Sequence, residues 1–222
     1  MGSDSSPKNK SDASLSASEL PALELPPDTD LSPESQPNIL LEADSLATLA
    51  TRLSAAESLL ALLVKDVNFN DFMREVLLSF LKSIKCEAGS ILEVDYSKNV
   101  LFFRSVAGQS SHRLSSVTIP WGSGIVGYVA ESKNPVIIED TNKDSRYLRS
   151  VSVSVGFDSR NLVAIPVLIR GRTFCVVELF NRVGKPCFDE QDLELMIQVA
   201  HFAAKVIEVR LMLNGARKAV AA

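Results

Sequence analysis

The residues of this chain that come nearest to a reaction centre are glycines. Gly122-Ser123-Gly124-Ile125-Val126-Gly127 has the Gly-x-Gly-x-x-Gly spacing of a dinucleotide site. There, glycine permits a tight turn and lets pyrophosphate approach a helix amino end, while a later acid holds the ribose. Asp140 stands at a suitable distance for that acid. The flanks do not suit this chemistry. The β-like run Val117–Ile119 is three residues long and stops at Pro120. The helical stretch that follows, to about Glu131, is too short to cross between parallel strands.

Other reactive types are scattered. The two histidines, His112 and His201, fall in a loop and in a terminal helix, and no serine stands in a Gly-x-Ser-x-Gly elbow. Cys86, Cys175 and Cys187 are an odd set without Cys-x-x-Cys spacing. They read as reduced thiols, and no metal cluster is expected. One acid is out of place. On the strand Thr173–Phe180 the period of two puts Phe174, Val176, Glu178 and Phe180 on one face. A carboxylate on an apolar face is costly unless it is bonded, so Glu178 either points into a ligand pocket or is held by backbone amides or an arginine.

The elements that must position these residues follow from periodicity. Leu46, Leu49, Leu53, Ala56, Leu60, Leu63 and Val67 recur at alternating three- and four-residue steps, which predicts a coiled-coil-like helix over 44–66. A second amphipathic helix is predicted from Asp71 to Ile84. Ser90–Asp95 and Val100–Val106 read as a hairpin, as do Leu162–Ile169 and Thr173–Phe180, with Pro166 asking for an edge or a bulge. Between the hairpins lie the short strands Val117–Ile119 and Pro135–Ile138 and a polar, lid-like stretch over 140–158. A long helix runs from about Asp189 to Asn214. Its stripes Leu193, Met196, Ala200, Ala203, Ile207 and Val199, Phe202, Val206, Val209, Leu213 predict that one side lies on the sheet and the other needs a partner. Hairpins, short helices and terminal helices together predict an α+β fold, an antiparallel sheet covered on one side by helices.

Composition bounds the function. The chain has 222 residues, 46% hydrophobic and 23% charged, with net charge −4. Residues 1–44 carry nine acids against Lys8 and Lys10, and six of the ten prolines. Residues 1–43 are therefore expected to be a disordered acidic tail, and 215–222 a short one. The near-neutral remainder lacks the basic footprint of a nucleic-acid binder. The longest apolar run, Leu59–Val64, is far below a membrane span, and the amino terminus has no secretory signal pattern. A soluble, cytoplasmic protein without nucleic-acid or membrane partners is expected.

Ile119-Pro120-Trp121-Gly122-Ser123-Gly124-Ile125-Val126-Gly127-Tyr128-Val129-Ala130 resembles the glycine signature of GAF domains. Asn134–Asp140, Ser159–Val167, Val177–Asn181 and Phe188–Leu193 follow in that family's order, so the resemblance covers about residues 68–213. It implies a GAF domain over 67–214, with a six-stranded antiparallel sheet, helices on one face and a small-molecule pocket on the other. It also implies a homodimer through the terminal helices, with Leu49, Leu53, Leu60, Phe202, Val206, Val209 and Leu213 as interface candidates. Cyclic-nucleotide-binding members are similar at Ile125 and Glu178, but an aromatic–acid pair falls here on Val106 and Ala107, and further contacts fall on Leu148, Ser152 and Val155. A cyclic nucleotide is therefore disfavoured. Methionine sulfoxide reductases of this fold carry a cysteine inside the glycine loop, where this chain has Ile125-Val126.

The resulting expectation is a non-catalytic sensory or regulatory module with no certain cofactor. It would bind an unidentified small molecule and signal through a separate effector protein. The alternatives are a scaffolding dimer with a closed pocket and a cyclic-nucleotide binder; a small redox or nucleotide enzyme is the weakest. The pocket candidates are Arg104, Trp121, Gly124, Ile125, Tyr128, Asp140, Asn142, Tyr147, Ser159 and Glu178.

Overall fold

The computed structural model describes residues 39–108, 114 and 116–220, and of these the side chains at 39–45, 155 and 216–220 are left aside. The chain divides into the units Met1–Leu41 and Glu42–Ala222, and the second carries the fold below. Residues 1–38 of the expected tail, His112 and the last two residues lie outside the described residues, whereas 39–43, expected in the tail, belong to the first helix.

Elements run α1 (Ile39–Ala61), α2 (Phe69–Ser83), β1 (Cys86–Asp95), β2 (Val100–Ala107), β3 (Thr118–Pro120), α3 (Gly124–Ser132), β4 (Val136–Ile138), α4 (Arg149–Val155), β5 (Leu162–Ile169), β6 (Arg172–Arg182) and α5 (Glu190–Val220). The six strands form one sheet in the order β3-β2-β1-β6-β5-β4, and every neighbouring pair is antiparallel. Alternation splits the core into two layers. Cys175, Val177 and Leu179 of β6 and Val163 and Ile165 of β5 meet Leu59, Phe72, Phe80, Met196 and Ile207 of the long helices. Val176, Leu162, Ala164, Leu92 and Leu101 face the other way, against Ile125, Val126, Val129 and Ala130 of α3. No helix among the described residues is long and apolar enough to cross a membrane.

Two bulges redirect side chains. Opposite β1, the register passes from Ile91↔Ser105 to Leu92↔Phe103, which leaves Arg104 as the extra residue of β2. Opposite β5 it passes from Val167↔Cys175 to Leu168↔Thr173, so Phe174 is extra and packs with the helix-side core. Pro166 lies beyond the end of β4, where β5 has a neighbour on one side only, so its missing N–H disturbs no ladder.

The first helix differs from the sequence expectation: it ends at Ala61, although the apolar repeat continues to Val67. Leu62 and Leu63 donate to the carbonyls three residues back, forming a tight turn. Arg210 of α5 then takes the carbonyls of Lys65 and Val67, which a longer helix would have used internally. Asn68 caps α2 by accepting from the Asp71 N–H at 3.0 Å. The last helix starts at Glu190 and reaches Val220, beyond the expected Asn214.

The glycine loop is a packing device. Gly122 and Gly124 have φ of 75° and 72°, left-handed values that glycine adopts without strain. A Cβ on Gly127 would lie 2.7 Å from the carbonyl carbon of Gly122, so α3 sits directly on the loop backbone. Gly127→Ala is expected to destabilise the domain by about 1–3 kcal/mol, the range for overpacking. Urea unfolding of the variant checks this, and an unchanged midpoint would remove the packing explanation.

Candidate functional site

A cavity of about 90 Å³ lies between the sheet and the α3–α4 side. Its floor is Ser90 of β1, Phe103 and Val106 of β2 and Glu178 and Phe180 of β6; Gly124–Val126 form a wall, and Tyr147, Leu148, Ser152 and Phe157 the roof. The roof is held in part by an edge-on stack of Phe157 on Phe180, with centroids 5.7 Å apart, and by a hydrogen bond between the Tyr147 hydroxyl and Ser152 Oγ.

Glu178 is 8% exposed. The antiparallel register sets Ser90 of β1 on one side of it and Ala164 of β5 on the other. Ser90 Oγ donates to its Oε2 at 3.2 Å. Burial disfavours the ionised form and pushes the carboxyl up to about 7, only partly opposed by the Ser90 bond. No salt bridge forms to it among the described residues, so the reading of Glu178 as a carboxylate held by an arginine has no support there.

Four of the ten residues expected at the pocket line the cavity: Gly124, Ile125, Tyr147 and Glu178. The other six lie outside its lining, each for a definite reason. The bulge turns Arg104 toward α2, where it bonds Glu93 at 2.7 Å and Asn70 at 2.8 Å and lies over the Phe102 ring at 4.8 Å. Trp121 packs on Tyr96 at the end of the first hairpin, 5.6 Å between centroids. Tyr128 lies under the Arg146 guanidinium at 4.6 Å. Asp140 accepts from the Asn142 N–H at 3.0 Å and pairs with Lys143 at 3.3 Å, and the Asn142 N–H bond is the main cause holding its carboxyl low. The Asn142 side chain accepts from Arg149 at the surface. Ser159 is buried, and its carbonyl receives the Thr141 hydroxyl at 2.6 Å.

The lining also holds residues that pattern alone did not mark, chiefly Ser90, Phe103, Phe157 and Phe180. Phe180 stood on the Glu178 face in sequence; Ser90 is placed there by cross-strand register. Val106, Ala107, Leu148 and Ser152 also line the cavity.

Cysteine chemistry is remote from the cavity. Burial pushes Cys86 up to about 12 and raises Cys175 as well, and none of the three thiols belongs to the lining. No cluster of metal-ligating side chains occurs among the described residues. Below the sheet, Arg182 makes a two-pronged pair with Asp192 at 2.8 and 3.0 Å, fixing the start of α5 to the end of β6.

Of the interface candidates, Leu49, Leu53, Leu60, Phe202, Val209 and Leu213 are exposed large apolar residues, joined by Leu46 and Met212. Val206 is the exception. It is 3% exposed and belongs to the helix-side core, because the buried face of α5 is wide enough to take Val199, Ala203 and Val206 together.

Comparison with known proteins places these features in context. A family model described as "GAF domain" matches residues 66–208. The cone cGMP-specific 3',5'-cyclic phosphodiesterase subunit alpha' of Mus musculus is 30% identical over 94 residues, which is 42% of this chain and 11% of that protein. The chain thus spans about a tenth of the length of this curated relative. Among solved structures, the GAF domain of a phosphoenolpyruvate-protein phosphotransferase from Coxiella burnetii superposes with a TM-score of 0.64 at 16% identity, covering 75% of this chain and 98% of that one. A free methionine-R-sulfoxide reductase from Neisseria meningitidis, in complex with its substrate, gives 0.59 at 15% identity over 73% and 91%. At such identities the solved structures share the fold with this chain.

Proposed function

The chain belongs to the GAF domain family, and from this we propose that it is a non-catalytic regulatory module that binds a small molecule and signals to a separate effector protein. The observation that carries the proposal is the largely apolar cavity with one buried carboxyl, Glu178, in its floor. Pockets of this kind, largely apolar with a few convergent polar groups, are the common form of small-molecule sites. The absence of a cysteine from the described lining speaks against the sulfoxide chemistry of the fold's reductases. The apolar Val106, Ala107 and Leu148 speak against a cyclic nucleotide, whose polar atoms would go unpaired there.

The module acts as a homodimer in this proposal, with Leu46, Leu49, Leu53, Phe202, Val209 and Leu213 meeting a second copy. Their exposure on two terminal helices at near-heptad spacing supports this, since such stripes are unfavourable in water. A ligand that ordered the α4 roof would bias the helix layer through the sheet between them.

Native mass spectrometry of the full chain as purified, followed by denaturing release, tests both parts. The expected result is a dimer carrying a releasable small molecule, with Val209→Asp shifting the mass to monomer. A dimer with nothing bound would favour the scaffold with a closed pocket, for which the small cavity volume speaks. A monomer for the wild type would end the dimer proposal.

A further inference from the structure

Given the ligand-binding role proposed above, on which this inference rests, the cavity lining restricts what the ligand can be. Polar side chains are few. The Tyr147 hydroxyl and Ser152 Oγ are bonded to each other across the roof. Ser90 Oγ is committed to Glu178 Oε2. The roof pair keeps one hydroxyl proton, and the Glu178 carboxyl, which when ionised offers about four acceptor sites and receives one recorded donor, has the largest spare accepting capacity in the described lining. Above about pH 7 that group is a carboxylate, which accepts hydrogen bonds and donates none.

Anions are poorly served by the same surface. No lysine, arginine or histidine occurs in the described lining. An anion beside the ionised Glu178 would face repulsion with no opposing charge among the described lining residues. The start of α3, the place where backbone N–H groups could receive a phosphate, is also obstructed. The Leu148 side chain lies 2.8 Å from where a Gly124 Cβ would stand, so an apolar group packs over that residue. Size completes the restriction. The roughly 90 Å³ volume leaves no room for a base, sugar and phosphate together.

We propose that the cavity selects a small, flat, mostly apolar nitrogen heterocycle that donates an N–H to Glu178, and that it excludes ligands bearing phosphate or carboxylate. The apolar ring fills the space between Phe103, Ile125, Leu148 and Phe180, and the N–H takes an acceptor site that Ser90 leaves open. Glu178 is then the specificity-determining residue, and the ring walls supply affinity without discrimination.

Calorimetric titration of the full chain at pH 8, where Glu178 is ionised, with four probes tests this: benzimidazole, indane, benzoate and cyclic GMP. Benzimidazole and indane share size and shape and differ in the N–H donor. Benzimidazole is expected to saturate and indane to bind at least about tenfold more weakly, the effect of one hydrogen bond to a charged group. Benzoate and cyclic GMP are expected neither to bind nor to displace benzimidazole. Glu178→Leu should weaken benzimidazole by about tenfold or more and leave indane unchanged. The benzimidazole–indane comparison uses wild-type protein alone, so it decides the matter even if that variant fails to fold. Equal binding of indane and benzimidazole overturns the inference and leaves the cavity as a ligand site. Displacement of benzimidazole by benzoate or cyclic GMP does the same. Undiminished benzimidazole binding to a folded Glu178→Leu also overturns it. Silence from all four probes overturns the inference and the ligand-binding proposal beneath it.

Discussion

Asp192→Ala should destabilise the domain by about 3–5 kcal/mol, the cost of leaving one member of a buried ion pair unpaired. Arg182 and Asp192 have side chains only 12% and 6% exposed, and they bond through two N–H···O contacts. Arg182 also donates to the carbonyls of Lys85 and Val183, so its guanidinium ties three chain segments at one point. Asp192 in turn accepts from the Asp189 N–H, closing the first turn of α5 together with the Asp189 carboxylate. Removing the acid strands a guanidinium that cannot give up its proton. For a domain of this size the loss corresponds to roughly 6–20 °C in the unfolding midpoint. The double variant Arg182→Met/Asp192→Leu replaces both charges with apolar groups and should recover much of the stability, since no buried charge is left alone. Urea unfolding of the three proteins decides the point. A double variant as unstable as the single one would mean that packing, and not the unpaired charge, sets the cost.

The second large effect is a dependence of stability on pH located at Glu178. Its carboxyl is raised to about 7 in the folded chain from an ordinary 4.5. A group whose pKa is higher folded than unfolded stabilises the fold while protonated. That contribution is complete below the unfolded value and is lost as pH rises through the folded one. Between pH 5 and pH 8 the loss amounts to roughly 2–3 kcal/mol, at 1.36 kcal/mol for each unit of pKa difference. No charged residue of the described lining opposes it: β1 contributes Ser90, β5 contributes Ala164, and of the roof residues only Tyr147 is titratable. The carboxyls of Glu87, Asp144 and Asp189 are shifted the other way by hydrogen bonds and ion pairs. Their contributions are lost on acidification, below this window. Glu178→Gln keeps every other group, so its denaturation midpoint should gain on wild type steadily from pH 5 to pH 8. Parallel pH curves for the two proteins would sink the assignment. A chain that retains a group with this cost has given up stability at neutral pH, which fits a residue kept for binding.

Much of the fold could be read from residue order. The period-two runs on either side of Arg170-Gly171 and of Tyr96–Asn99 became the two hairpins, and the short strands and the α3 segment fell where the glycines and prolines bracket them. Local rules suffice there because a strand's alternation and a turn's dihedral needs are properties of neighbouring residues. The candidate site was less legible. Arg104 was expected at the pocket, and simple alternation would give it the face of Val106, but the bulge at that residue sends the two side chains to opposite sides. Bulges depend on how two strands match across the sheet, and no single strand encodes that. Val206 was misplaced as an interface residue for a similar reason, since two apolar stripes on a helix do not say how wide a face the sheet will cover.

The sequence by itself determined the antiparallel α+β fold and the anomalous acid on an apolar strand. Each of these follows from spacing and residue type over a few neighbouring positions. Tertiary structure decided the rest. It set Ser90 opposite Glu178, closed Leu148 and Phe157 over them, stopped α1 at Ala61 by lending Arg210 to the carbonyls beyond, and drew Asp192 to Arg182. Apart from Arg182 and Asp192, which stand ten positions apart, these pairings join residues far apart in the chain. Their free energy exists only once the intervening segments have folded, so no local pattern carries them.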